Sequence, residues 1–140
     1  MADEMGYSKV YAYRDGLPAW LKAGYPTTTI EKLPKIKINK ISAKKLKEMI
    51  DGGADLVIVD IRPAYELAKN SIDAEKVNAN LSQLTGIVDS LPKDKKLVIV
   101  DLNGKRAGVA YRYFSMKGLS DLALLDGGMQ KWLKSGLPVK

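Results

Sequence analysis

Two short runs constrain this chain more than anything else in it: Leu56-Val57-Ile58-Val59, ending in Asp60, and Leu97-Val98-Ile99-Val100, ending in Asp101. Both are apolar and largely β-branched, with no polar residue at every second position. Each therefore predicts a strand covered on both faces, as in a parallel sheet. Helical spacing separates them and follows them. Alternating strand and helix predicts an α/β chain with helices on both sides of the sheet. In such sheets ligands collect at the carboxyl ends of the strands, where both Asp residues stand.

The other elements are read around this pair. Ile36 and Ile38 alternate with Lys35 and Lys37 and predict a short edge strand. Ser42 is an expected N-cap for a helix carrying Leu46, Met49 and Ile50, stopped by Gly52-Gly53. Pro63 suits the first turn of a helix with Tyr65 and Leu67. Residues 81–91 predict a helix closed by Pro92, and a Gly-containing loop then leads to a helix from about 106 to 116. A strand over 122–125 and a helix over 129–134 complete the unit.

Composition removes whole classes of chemistry. The 140 residues suffice for one ordinary domain and contain neither Cys nor His. Thiolate nucleophiles, persulfide carriers, disulfides and Cys metal sites are excluded, as are Ser-His catalysis and imidazole ligation of zinc. The acidic residues never reach the spacing of a Ca²⁺ loop, so no metal is expected, and nothing points to a cofactor. The net charge of +7 is concentrated: residues 31–50 hold seven Lys (32, 35, 37, 40, 44, 45 and 47) against Glu31 and Glu48, a local sum of +5. That patch from Lys32 to Lys47 is a candidate face for an acidic partner; without interleaved aromatics or a nucleic-acid motif it does not predict a nucleic-acid surface. No apolar run reaches the ~20 residues of a membrane span. The opening residues carry Asp3 and Glu4 without a basic start or apolar stretch, so no secretory signal is expected and a cytoplasmic location follows as the expectation.

The chain also repeats itself. At a constant offset of 112 residues, Gly6, Ser8, Gly16, Trp20, Leu21, Lys22, Gly24 and Pro26 recur as Gly118, Ser120, Gly128, Trp132, Leu133, Lys134, Gly136 and Pro138. The matches include both Trp residues of the sequence. Residues 1–30 thus read as the tail of a preceding unit, 31–40 as a Lys-rich linker with the first strand, and 41–140 as a complete unit. Trp20 and Trp132 are expected in core packing, and Gly127-Gly128 as the turn into the final helix. Of Tyr111 and Tyr113, one is expected to pack and the other to be exposed.

The loop after the second strand, Asp101-Leu102-Asn103-Gly104-Lys105-Arg106, joins a strand end to a helix start. Its backbone N–H groups and the helix dipole make an anion cradle, to which Arg106 can add a guanidinium. With Asp60-Ile61-Arg62 after the first strand, that loop, and the ending Asp126-Gly127-Gly128-Met129-Gln130-Lys131-Trp132 with Gly136-Leu137-Pro138, the chain from 41 to 138 resembles a rhodanese-like domain. The resemblance implies a parallel five-stranded sheet flanked by helices on both faces, and a family of sulfurtransferases in which tandem copies are common.

The departures decide the functional expectation. Where sulfur-transferring members carry a Cys, four residues and then Arg, this sequence has Asp101 and Arg106. Asn70-Ser71-Ile72 stands where the family usually has Gly-His-Ile, and Ala107 where Ser or Thr often follows the Arg. A carboxylate forms no persulfide. Asp101 is expected to plug the cradle from within, leaving an inactive module for binding, scaffolding or regulation, with the Asp101 loop as a second candidate partner face. The alternative is the non-catalytic C-terminal part of a tandem thiosulfate sulfurtransferase whose Cys lies upstream. A remote alternative takes Asp101 as the nucleophile of a haloacid-dehalogenase-like phosphatase, but the second acid of that motif is Asn103 here. A receiver-domain reading of Asp60 lacks its acidic pair, and Asp60 and Arg62 are expected to tie the strand end to a neighbouring loop.

Overall fold

The computed structural model describes residues 16–24 and 33–140, which fall into two compact units, 1–32 and 33–140. In the first, α1 (Gly16–Lys22) is a seven-residue helix. The second holds β1 (Lys40–Ile41), α2 (Ala43–Asp51), β2 (Leu56–Asp60), α3 (Ala64–Lys69), β3 (Lys76–Asn78), α4 (Leu84–Ile87), β4 (Lys96–Val100), α5 (Ala107–Met116), β5 (Leu122–Leu125) and α6 (Gly128–Lys134). The five strands form one all-parallel sheet in the order β1-β5-β4-β2-β3.

The two apolar runs are β2 and β4, paired in register from Leu56 opposite Lys96 to Asp60 opposite Val100. Their alternating side chains divide between two cores. Val57, Val59, Leu97 and Ile99 pack with Ala110, Tyr111 and Phe114 of α5 and with Leu84, Val88 and Leu91. Leu56, Ile58, Val98 and Val100 pack with Leu46 of α2 and with Met129 and Trp132 of α6. No position along either run faces solvent, and so no polar alternation appears in the sequence.

Local signals explain most boundaries. The Ser42 hydroxyl accepts from Lys45 N at 3.2 Å and starts α2, which Gly52 and Gly53 end. Pro63 stands at the N-cap of α3 rather than inside it, contributing its carbonyl to Glu66 N and Leu67 N. Three expectations need correction. The edge strand is Lys40–Ile41, beside β5; Ile36 and Ile38 precede it in irregular backbone and are held by their apolar contact with the core under α5. Residues 81–91 are not one helix but two 3₁₀ turns on either side of the four-residue α4. Thr85, Gly86, Ile87 and Val88 are weak helix formers, and a capping box between Asn80 and Gln83 tightens the first turn. Trp20 is not a core residue: it is 36% exposed, and α1 has no buried residue, whereas Trp132 is 1% exposed. Both helices have seven residues, so length does not separate them; Trp132 is enclosed because α6 packs on the sheet, in one core with Leu46, Ile58 and Val98.

Candidate functional site

Asp101 follows β4 directly and is 2% exposed. One carboxylate oxygen accepts from Gly104 N at 2.5 Å; the other accepts from Arg106 N at 2.7 Å and Ala107 N at 3.2 Å. The loop therefore curls around its own first side chain and delivers the chain into α5. Backbone N–H groups between a strand end and a helix start are of the kind that can hold an anion, and here Asp101 takes three of them. Asn103 makes a smaller turn of its own, accepting from Lys105 N at 3.1 Å.

The outer wall of the loop is α6. Met129 N donates to the carbonyl of Asp101 and Gln130 N to that of Leu102, both at 2.9 Å. This approach depends on Gly128, at φ +59°, where a Cβ would lie 2.5 Å from Asp101 O and 2.7 Å from Asn103 N. Gly127-Gly128 is the expected turn, and it also lets the helix press on the loop backbone. Beside it, Lys131 donates to Asp126 and holds that carboxyl below its usual value of 3.8.

Across the sheet, Asp60 and Arg62 form a buried pair, 1% and 4% exposed. Arg62 Nε donates to both Asp60 oxygens, at 3.0 and 3.1 Å, and a terminal nitrogen adds a third bond at 2.8 Å. The remaining guanidinium donors reach Asn70: its side-chain oxygen at 3.1 Å and its carbonyl at 2.8 Å. Asn78 closes the corner by donating to the carbonyls of Asp60 and Arg62. The pair thus ties the end of β2 to the loop after α3, with each guanidinium nitrogen hydrogen-bonded and the Glu66 carboxylate 4.0 Å from a terminal nitrogen. Asn70 and Asn78 carry no periodic signal that would have singled them out; only the unusual Asn70-Ser71-Ile72 hinted at the first.

Between the two strand ends lies a cleft of about 240 Å³, lined by Arg62, Tyr65, Glu66, Asp101, Leu102 and Arg106, among others. Tyr65 is 64% and Leu102 43% exposed at its rim. The Arg106 guanidinium, also exposed, makes no hydrogen bond or ion pair with the described residues; it does not close over Asp101. The cradle is filled by the carboxylate and backbone alone. Among the described residues no group of three acidic side chains could hold a metal ion, and no helix is long and apolar enough to cross a membrane.

Of the Lys-rich segment, Lys35, Lys37, Lys40, Lys44, Lys45 and Lys47 are described; Lys32 lies outside the described residues. Lys45 pairs with Glu48 and Lys47 with Asp51 along α2. Tyr111 is the packed tyrosine of α5, its hydroxyl accepting from Asn39 N at 3.4 Å, and Tyr113 is half-buried.

Comparison with known proteins agrees with this geometry. The sequence profile of rhodanese-like domains matches residues 42–135. A sulfurtransferase of Allochromatium vinosum is 30% identical over 103 residues, spanning 73% of this chain and 94% of its own. Thiosulfate sulfurtransferase GlpE of Pseudomonas aeruginosa is 29% identical, over 66% of this chain and 82% of its own. Among solved structures, a rhodanese-related protein from Thermoplasma volcanium superposes with a TM-score of 0.66 at 31% identity, covering 73% of this chain and 97% of its own.

Proposed function

The chain belongs to the rhodanese-like domain family, and from that membership we propose that its complete unit binds a partner and does not transfer sulfur. One observation carries the reading: the Asp101 carboxylate takes the backbone donors of Gly104, Arg106 and Ala107. In a sulfur-transferring loop those donors would serve a persulfide or thiosulfate, and a chain without Cys has no atom on which to carry the sulfane sulfur. A fixed negative charge in the cradle further disfavours an incoming anion. The loop is then held in a filled state, and its rim of Tyr65, Leu102 and Arg106 is a candidate face for a protein that recognises that state. The Lys-rich segment is a second candidate face, for an acidic partner.

The test is thiosulfate:cyanide transfer by the purified protein and by Asp101→Cys. Wild type is expected to give no turnover above a buffer blank, and clear turnover would overturn the reading. Thiosulfate turnover by the Cys variant is the expected sign that the cradle keeps family geometry.

A second reading, in which the chain is the non-catalytic part of a tandem thiosulfate sulfurtransferase, is favoured by the repeat. At the 112-residue offset α1 and α6 are both seven-residue helices, each starting at a glycine of positive φ, Gly16 at 68° and Gly128 at 59°. Both end in the same pair of hydrogen bonds: Ala23 N to Ala19 O and Gly24 N to Leu21 O, matched by Ser135 N to Lys131 O and Gly136 N to Leu133 O. An immunoblot of source cells tests it. A band well above 15.4 kDa supports the tandem protein, and a band at 15.4 kDa refutes it.

A further inference from the structure

We infer that Asn103-Gly104 is a latent deamidation site held shut by the Asp101 carboxylate. An Asn followed by Gly is prone to cyclise because glycine has no side chain to hinder approach of its backbone nitrogen to the Asn side chain. Asn103 is exposed and lines the cleft. Its side-chain oxygen accepts from Lys105 N, while its amide nitrogen, the leaving group, has no partner among the described residues.

In the reaction Gly104 N loses its proton and attacks the Asn103 side-chain carbonyl carbon. A ring C–N bond forms, the C–NH₂ bond breaks, and ammonia departs with that proton. Water then opens the succinimide at either carbonyl. One opening converts Asn103 to an aspartate, the other to an isoaspartate with the main chain running through the side chain. The balance is one water consumed and one ammonia released, with no oxidant or reductant.

Two features oppose ring closure. The Gly104 N–H that must be surrendered donates to Asp101 at 2.5 Å, and the ring nitrogen of the succinimide has no hydrogen with which to keep that bond. Closure would leave an oxygen of a buried carboxylate without its donor. The backbone around Asn103 is also pinned: Gln130 N holds the Leu102 carbonyl, and a Cβ on Gly104 would lie 3.1 Å from Gly127 N. Loss of one charge-assisted hydrogen bond on closure slows the step on the order of 10- to 100-fold. The same residue that fills the anion cradle therefore protects its neighbour. If the bond is broken, the product places a new carboxylate in the cleft that Arg106 lines, and the net charge of the chain falls by one.

The experiment incubates wild type, Asp101→Ala and the control Asn103→Gln at mildly alkaline pH, and follows the peptide containing residue 103 by mass spectrometry. Deamidation at 103 is expected to be at least about 10-fold faster in Asp101→Ala than in wild type, and absent in Asn103→Gln. Equal rates, or a faster wild type, would overturn the inference, since Asp101 would then be idle or acting as the base. A second measurement needs no variant and is unaffected by a variant that fails to fold. Amide hydrogen exchange of wild type is expected to show Gly104 N–H protected relative to Lys105 N–H, whose acceptor is the exposed Asn103 side chain. An unprotected Gly104 N–H would overturn it as well. Neither outcome depends on whether the cleft has a protein partner.

Discussion

Replacing Gly128 by Ala tests whether α6 really presses on the Asp101 loop. The backbone there sits at φ +59°, and placing an L-residue in the left-handed region costs about 1–2 kcal/mol. The new Cβ would also lie 2.5 Å from Asp101 O and 2.7 Å from both Asn103 N and Leu102 C. These are backbone atoms and cannot rotate aside, so the loop or the helix must shift, adding about 1–3 kcal/mol as in an overpacked core. The expected loss is then about 2–5 kcal/mol. Gly53→Ala supplies the control: its φ is +71°, but nothing lies within 4 Å of the built Cβ, so only the conformational cost of about 1–2 kcal/mol applies. Urea unfolding at one temperature reads both, provided the slope with denaturant is unchanged. If Gly128→Ala costs no more than Gly53→Ala, the close approach of helix and loop is refuted.

Three further outcomes follow from other parts of the unit. Arg62→Ala leaves the buried Asp60 carboxylate without its partner and is expected to lose about 3–5 kcal/mol in the same assay, with Arg62→Lys recovering only part because an ammonium lacks the two-pronged geometry; a loss below about 1 kcal/mol would contradict this account of the corner. Trp132→Ala removes a fully buried indole whose Nε1 donates to Pro138 O at 3.0 Å, and should cost about 3–5 kcal/mol, clearly more than Trp20→Ala; equal losses would contradict their different burial. The Lys131 ammonium lowers the Asp126 pKa from 3.8, so this pair stabilises the fold above pH 3.8 and the contribution is lost as pH falls through the depressed value. The stability difference between wild type and Lys131→Ala should therefore shrink on acidification, and a difference that stays constant would contradict the pairing.

How much of this was legible in the sequence differs from element to element. Val57–Val59 and Val98–Val100 declared a two-sided sheet because burial on both faces forbids polar alternation. Ser42 and Gly52-Gly53 marked α2 through chemistry that is local to the chain. By contrast β3, with Lys76 and Asn78, escaped the reading: an edge strand of three half-buried residues has no apolar run to show. The partners of Arg62 were also hidden, since Asn70 and Asn78 lie 8 and 16 positions away and meet it only when the sheet forms. That Asp101 would meet the N–H groups of its own loop was readable because those donors are its near neighbours in the chain. The pressure of Gly128 against that loop was not, because the two are far apart in the chain and only the β4–β5 crossover brings them together.

The central claim is that the Asp101 carboxylate occupies the site where an anion would bind. Its most direct test is calorimetric titration of thiosulfate into wild type and Asp101→Ala, with the fold of each checked by circular dichroism. The account predicts binding to Asp101→Ala, whose Gly104, Arg106 and Ala107 N–H groups are freed, and no detectable binding to wild type. Thiosulfate binding to wild type as tight as to Asp101→Ala would contradict it.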